Sequence, residues 1–332
     1  MPAARSDDGT RTCQRRLTAV SSALRVCGSA AAATQGTTEA QPPQARVAIV
    51  TGAGMGLGSG IARGLAAAGW KVCLTDVVAD ELEATGAEAA AVSGSADSVM
   101  TAVADVRSLI EMEAVVAQVA AQWGGRLDLV VANAAILDAQ SIMDMDAAAW
   151  GRTIAINLSG VFHSFKAAWP LLIQQPQDTH CIAVASPAAV RGGADMAAYT
   201  ASKHGVEGLV KALADEGQPH RIAVNSMGPG IQIKPTTKPE NFAVVGRKAV
   251  AAGLDPDTVA KAFEHGSADF GGWADPIVAA PAFDWLASQP ADRFFGLRFD
   301  AGPVAAMLAE GGDESEMEAF VRALSEDNSR VR

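Results

Sequence analysis

Tyr199 and Lys203 stand four residues apart in Tyr199-Thr200-Ala201-Ser202-Lys203, a spacing that stacks two side chains on one face of a helix. A phenol ordinarily gives up its proton near pH ~10. An ammonium held close favours the phenolate, so such a pair is suited to passing a proton at neutral pH. The chain has a single tyrosine among its 332 residues, and it is this one. A Tyr-x-x-x-Lys is also found as a plain exposed helix turn, so the surroundings decide between the two.

A second stretch with chemistry in it begins at Thr51-Gly52-Ala53-Gly54-Met55-Gly56-Leu57-Gly58. The apolar run Val47-Ala48-Ile49-Val50 leads into it, and Ser59 to Ala68 reads as the helix that follows. Another apolar run, Lys71 to Thr75, ends at Asp76. Strand, glycine turn, helix, strand and acid is the order of a dinucleotide-binding unit. Glycines let the backbone approach a pyrophosphate, and the helix N-terminus offers free N–H groups and a favourable dipole. Asp76 is placed to accept hydrogen bonds from an adenosine ribose diol.

The elements needed to bring these stretches together alternate along the chain. Ser98 to Ala104 reads as a strand ending in Asp105-Val106, and Ser108 to Trp123 as an amphipathic helix. Leu127 to Ala132 reads as a strand closing on Asn133, and Ala147 to Ile173 as a long helix containing Asn157. Cys181 to Ala185 is a strand ending in Ser186, and Ala197 to Glu216 is the helix of Tyr199 and Lys203. Arg221 to Ser226 is a strand running into Gly228-Pro229-Gly230. A helix over Pro276 to Ser288 and a strand over Gly296 to Asp300 complete the pattern. Repeated units of this kind predict an α/β fold, a Rossmann-type doubly wound parallel sheet with ligands at the carboxyl ends of its strands. The polar residues named fall at those ends or on the helices after them, which argues for one site.

The organisation expected is a single catalytic domain over 46–302, with a substrate-lid insertion at 231–275. That insertion carries Pro235, Pro239 and Pro256 and a helix around Thr258 to Glu264, and a plain surface excursion is its other reading. Residues 1–44, rich in Ala, Ser, Thr and Arg, read as a disordered extension, with an organelle-targeting segment as the alternative. Residues 303–332 read as an acidic tail with an amphipathic helix to Leu324, solvated or touching another subunit.

The composition narrows the partners. A hydrophobic fraction of 49% with 19% charged residues belongs to a globular chain. The net charge of −11 argues against a nucleic-acid footprint or attraction to an anionic membrane. The longest apolar stretches, such as Leu127 to Leu137, are broken by Asp128 and Asn133 and do not span a bilayer. Four scattered cysteines with no CxxC pair fit reduced thiols in a cytoplasmic protein and no metal site.

Taken in order, these motifs resemble those of the classical short-chain dehydrogenases/reductases over about residues 46–302. The resemblance rests on Thr51-Gly52-x-x-x-Gly56-x-Gly58, Asp105-Val106, Asn157-Leu158-x-Gly160, Ser186 at the family's usual spacing before Tyr199, Tyr199-x-x-x-Lys203, Pro229-Gly230 and Asp300-Ala301-Gly302. It implies that Tyr199 is the general acid/base, that Lys203 lowers its pKa and holds the nicotinamide ribose, and that Ser186 bonds the substrate oxygen. Asn157 would hold a water linking Lys203 to solvent. Gly52, Gly56, Leu57, Gly58, Asp76, Asp105, Val106, Asn133, Pro229 and Gly230 would join Tyr199 and Lys203 in binding the cofactor. It also implies a homo-oligomer, tetramer or dimer, built on the Asn157 and Tyr199 helices. The chain departs from the family in reading Ala132-Asn133-Ala134-Ala135 where Asn-Asn-Ala-Gly is usual. Lys234 stands where a threonine usually contacts the nicotinamide amide, with Thr236 and Thr237 just beyond. Pro187 directly follows Ser186.

A carboxylate that accepts from a free ribose diol repels a 2′-phosphate, and no Lys or Arg flanks Asp76 to reverse that. NAD(H) is therefore expected over NADP(H). The expected activity interconverts a secondary alcohol and its ketone. Two other readings stay open at this point: a 3-oxoacyl thioester reductase using NADPH, and a non-catalytic nucleotide-binding scaffold.

Overall fold

The computed structural model describes residues 44–230, Asp255 and residues 274–329. The N-terminal extension up to residue 43 and nearly all of the 231–275 insertion, with Lys234, Thr236 and Thr237, lie outside the described residues.

The strands are β1 (Val47–Thr51), β2 (Lys71–Asp76), β3 (Val99–Val103), β4 (Leu129–Ala132), β5 (Thr179–Val184), β6 (Ile222–Gly228) and β7 (Arg298–Asp300). All pair in parallel in one sheet of order β3-β2-β1-β4-β5-β6-β7. From β1 the chain winds outward to β3 and then crosses back to β4, which makes the β1/β4 boundary a topological switch point. Every residue of β1 is buried, as both-sided coverage of a parallel sheet requires. Val47 and Ile49 face one apolar core while Ala48 and Val50 face the other, the two-residue period of a strand.

Helices cover both faces. α1 (Gly56–Ala67) and α2 (Ala79–Ser93) follow β1 and β2, and α3 (Leu109–Gln122) follows β3. α4 (Ala147–Ile154) and α5 (Gly160–Leu172) are joined by a π-helical turn, Ala155–Ser159. α6 (Ala197–Gly217) precedes β6, while α7 (Ala280–Leu286), α8 (Ala301–Ala309) and α9 (Glu314–Ser329) close the described chain. Ile61, Leu65, Phe283, Val304, Met317 and Val321 fill one core. Met112, Val115, Phe165, Val206 and Val210 fill the other. The Ser108 and Asp146 side chains accept from Glu111 N and Ala149 N, capping α3 and α4.

The structure corrects the sequence reading in three places. α2 fills the interval after Asp76, where no element was expected. The long helix over 147–173 is not one regular helix but is interrupted at Asn157. The boundary at residue 302 cuts through α8. The segment beyond it, read as a helix that is solvated or touches another subunit, packs into the main core of this chain, with Met317 and Val321 only 1% and 0% exposed.

Candidate active site

The catalytic residues named from the sequence come together where β4, β5 and α6 meet. Ser186 follows β5 in extended backbone (φ −160°, ψ 159°), and its Oγ accepts from Ala188 N at 3.2 Å. Pro187 opens the short 3-10 turn Pro187–Ala189 that this bond caps. Tyr199 lies in the first turn of α6, with the Ser186 side chain close enough to bear on its phenol. Lys203, one turn on, is 2% exposed and donates from Nζ to the Val184 carbonyl at 2.7 Å. Its Nζ stands 5.9 Å from the centre of the Tyr199 ring.

Burial decides the electrostatics. It pushes the Lys203 ammonium down to about 8, against the attraction of Glu207 and with added repulsion from Arg298. Burial also raises the Tyr199 phenol above its ordinary value, and the Ser186 side chain opposes this. The sequence alone suggested that Lys203 lowers the phenol. In the structure the ammonium is engaged by Val184 and lies under the ring, so desolvation wins.

Asn157 sits in the π-helical turn, fully buried. Such turns are rare and concentrate at functional sites. Asn157 Oδ1 accepts from Ile136 N at 2.8 Å, and its Nδ2 donates to Ile136 O at 2.9 Å and to Ser202 Oγ at 3.2 Å. Ser202 Oγ in turn donates to Tyr199 O at 2.7 Å. Asn157 therefore ties the segment after β4 to the first turn of α6. Ser202 was missed from the sequence although it stands inside the quoted Tyr-x-x-x-Lys stretch, because only the fold reveals its buried partner.

The nucleotide side is built at the ends of β1, β2 and β4. Gly52 and Gly56 have φ of 62° and 57°, the left-handed region that favours glycine. A Cβ on Gly58 would lie 2.5 Å from Asn133 Nδ2. Asn133 Nδ2 donates to Thr51 O and Gly52 O, both at 2.9 Å, while Thr51 Oγ1 accepts from the backbone N–H of Asn133 and Ala134. One asparagine thus fastens the glycine turn even though its neighbour in the motif is Ala132. α1 has Met55 at its N-cap with no side-chain hydrogen bond and no acid in its first turn, so its leading N–H groups suit an anion such as a pyrophosphate. Leu57 is half-buried against the core.

Asp76 ends β2. Its Oδ2 accepts from Gly54 N at 2.9 Å, and its Oδ1 accepts from Val77 N at 2.7 Å and Val78 N at 3.2 Å. Beyond β3, hydrogen bonds from Arg107 hold the Asp105 carboxyl below its ordinary value. Val106 is buried, its carbonyl 2.9 Å from His163 Nδ1. Pro229 O accepts from Gly302 N at 3.0 Å, and Gly230 has φ 59°. All these positions lie at the carboxyl ends of the strands, flanking the switch point.

A family model described as short chain dehydrogenase matches residues 46–241. The chain belongs to the short-chain dehydrogenase/reductase family. It is accordingly an oxidoreductase of that family. It is 36% identical over 199 residues to a (-)-trans-carveol dehydrogenase of Rhodococcus erythropolis, covering 56% of this chain and 70% of the relative. Carveol dehydrogenase from Mycobacterium avium, solved in complex with NAD, superposes with a TM-score of 0.66 at 27% identity, over 77% of this chain and 96% of that one. A variant of actinorhodin polyketide ketoreductase solved with NADPH superposes with a TM-score of 0.65 at 26% identity, over 77% and 95%. Among the described residues no helix is long and apolar enough to cross a membrane. No group of three or more His, Cys, Asp or Glu stands together there as a metal site.

Proposed function

We propose that this short-chain dehydrogenase/reductase interconverts a secondary alcohol and its ketone with NAD(H), using Tyr199 as the general acid/base. The observation that carries the reading is the Tyr199 phenol beside Ser186 with the buried Lys203 beneath the ring, beside an uncapped helix N-terminus. The residues present fit a dinucleotide: the glycine turn for the pyrophosphate, Asp76 for the adenosine ribose, Asp105 and Val106 near the base, Pro229 and Gly230 toward the nicotinamide. Bound there, the cofactor supplies the hydride acceptor or donor.

In oxidation, the Tyr199 phenolate oxygen takes the substrate hydroxyl proton as hydride leaves the carbinol carbon. In reduction, the phenol returns that proton to the developing alkoxide. Ser186 Oγ donates to the substrate oxygen and steadies its growing charge. Lys203, seated under the ring on the Val184 carbonyl, would hold the nicotinamide ribose. Asn157 holds the Ile136 segment against α6, and a water beside it would connect Lys203 to solvent.

Asp76 supports NAD(H), because a carboxylate fixed by three backbone N–H groups cannot turn away from a 2′-phosphate. The likeness to a ketoreductase seen with NADPH favours a second reading, a 3-oxoacyl thioester reductase using NADPH. Carveol heads the substrate panel on the strength of its two namesakes. Exposed Trp150 and Phe162, each 42% exposed on the helices around Asn157, support a homo-oligomer, tetramer or dimer.

The test is reduced-nicotinamide absorbance with NAD⁺ or NADP⁺ across carveol, polyols and hydroxy acids. Tyr199→Phe should lose at least ~100-fold in turnover while still binding dinucleotide. An unchanged rate in that variant refutes the mechanism, and turnover with NADP⁺ alone refutes the cofactor assignment.

A further inference from the structure

Glu207 lies on α6 one turn beyond Lys203, a spacing that puts both side chains on one face. Its carboxylate is held from the sheet at both oxygens. Oε2 accepts from Ser226 Oγ of β6 at 2.8 Å, and Oε1 accepts from Arg298 Nη1 of β7 at 2.9 Å. The two side chains of this ion pair are only 15% and 7% exposed. Arg298 Nη2 is a further 3.5 Å from Asp300, and its Nε has no partner among the described residues.

A buried pair with an unsatisfied donor is poor value for stability, since desolvating both charges offsets most of their attraction. Apolar side chains already join these elements, with Val206, Val210 and Ala214 of α6 packed on Ile222 and Val224 of β6. The charges therefore need another explanation, and Lys203 is the site residue whose ammonium both members influence, with opposite sign.

We propose that Glu207 is a positioning residue for Lys203: with Arg298 as its counter-charge, it sets how firmly the ammonium keeps its proton in its seat on the Val184 carbonyl. Among the described residues, the groups that bear on Lys203 are these. α6 contributes the Tyr199 phenol and Glu207. β5 contributes the neutral Val184 carbonyl. β7 contributes Arg298, with Asp300 behind it. Attraction from the carboxylate and repulsion from the guanidinium are thus the main fields opposing or adding to the cost of burial.

The test reads the Lys203 proton directly, so it stands apart from the hydride-transfer reading on which its catalytic meaning rests. The full chain, labelled at lysine ¹³Cε and ¹⁵Nζ, is titrated by NMR from about pH 6 to about pH 10, around the ordinary lysine range. The Lys203 signal is assigned by its loss in Lys203→Arg. Glu207→Gln, whose one carbonyl oxygen still accepts from Arg298 while its amide N–H can donate to Ser226 Oγ, should lower the Lys203 midpoint by roughly one unit, tenfold in its charge ratio. Arg298→Gln should raise it, and Glu207→Asp, which restores the charge, should bring it back toward the parent value. The alkaline limb of kcat/KM should move in step. A merely structural pair would lower Tm without shifts of opposite sign. Midpoints unmoved by Glu207→Gln, or moved the same way by both variants, overturn the proposal. Should Arg298→Gln fail to fold, Glu207→Gln and its Asp rescue decide alone. A midpoint that moves as expected without alcohol turnover sustains the positioning and counts against the proposed activity.

Discussion

Removing the Asn157 side chain tests whether the π-helical turn holds the site together. Asn157→Ala deletes three hydrogen bonds, two to the Ile136 backbone and one to Ser202 Oγ. A typical intramolecular hydrogen bond is worth about 0.5–1.5 kcal/mol net, and unsatisfied buried partners cost more. Ile136 is half-buried, so water replaces part of what its N–H and C=O lose, whereas Asn157 itself is fully buried. The expected loss is therefore about 2–4 kcal/mol, a fall in Tm of roughly 5–10 °C for a chain of this size. Asn157→Asp sharpens the argument. It keeps the shape and the acceptor for Ile136 N–H but loses both donors, and it points a carboxylate at a carbonyl oxygen in a dry position. Its folded-state pKa must then rise above the unfolded value. With a raised acid pKa the folded state binds the extra proton, so this variant should regain stability as pH falls through that raised value. Urea unfolding of all three proteins at neutral and mildly acid pH measures the effect. A loss below about 0.5 kcal/mol in Asn157→Ala would refute a tethering role, since even one net hydrogen bond is worth that much. It would leave only the proposed water beside Lys203 to explain the residue.

Three further outcomes are expected. Asp76→Ala frees Gly54 N–H and removes the charge that repels a 2′-phosphate, so NAD⁺ should bind about tenfold more weakly, one pK-unit's worth of interaction, and the NAD/NADP ratio should shrink. Fluorescence titration with NADH and NADPH checks this, and an unchanged ratio sinks the role given to Asp76. Because burial raises the Tyr199 phenol, alcohol oxidation should gain roughly tenfold per pH unit until Lys203 begins to discharge near 8. Ketone reduction, which needs the phenol protonated, should be flat over the same range, and pH–rate profiles in both directions test the pair. His180 is buried on β5 with its pKa pushed down to about 4, chiefly by desolvation. The unfolded chain takes up the proton first, so stability is present above the ordinary histidine value and is lost as pH falls through it, by up to about 3 kcal/mol. His180→Gln should flatten that acid limb in denaturant midpoints.

How much of this was legible from the sequence depends on the separation over which each feature is built. Val47–Val50 and Lys71–Thr75 announced buried parallel strands because both faces of such a strand are apolar, and the glycines with Asp76 announced the turn between them. The Tyr199–Lys203 pair was legible because four residues is one helical turn. α2 was not, because Ala79–Ser93 buries only Leu82, Thr85, Gly86 and Ala89, too thin a stripe to stand out from its Ala and Glu content. The π-helical turn was hidden for a different reason: nothing local in Ala155–Ser159 favours it, and its support comes from Ile136 and Ser202 across the fold. Glu207 and Arg298 are the extreme case, separated by the whole insertion and meeting only because β7 lies beside β6. A helical i,i+4 reading from Lys203 would have reached Glu207 but would have judged it an ordinary surface ion-pair partner for the ammonium. Burial reverses that judgement, because it makes the carboxylate's proximity costly without Arg298 and lets the same pair act on Lys203 with little screening by water. The residues that carry the chemistry were thus readable along the chain, while those that set their charge state are readable only across the sheet.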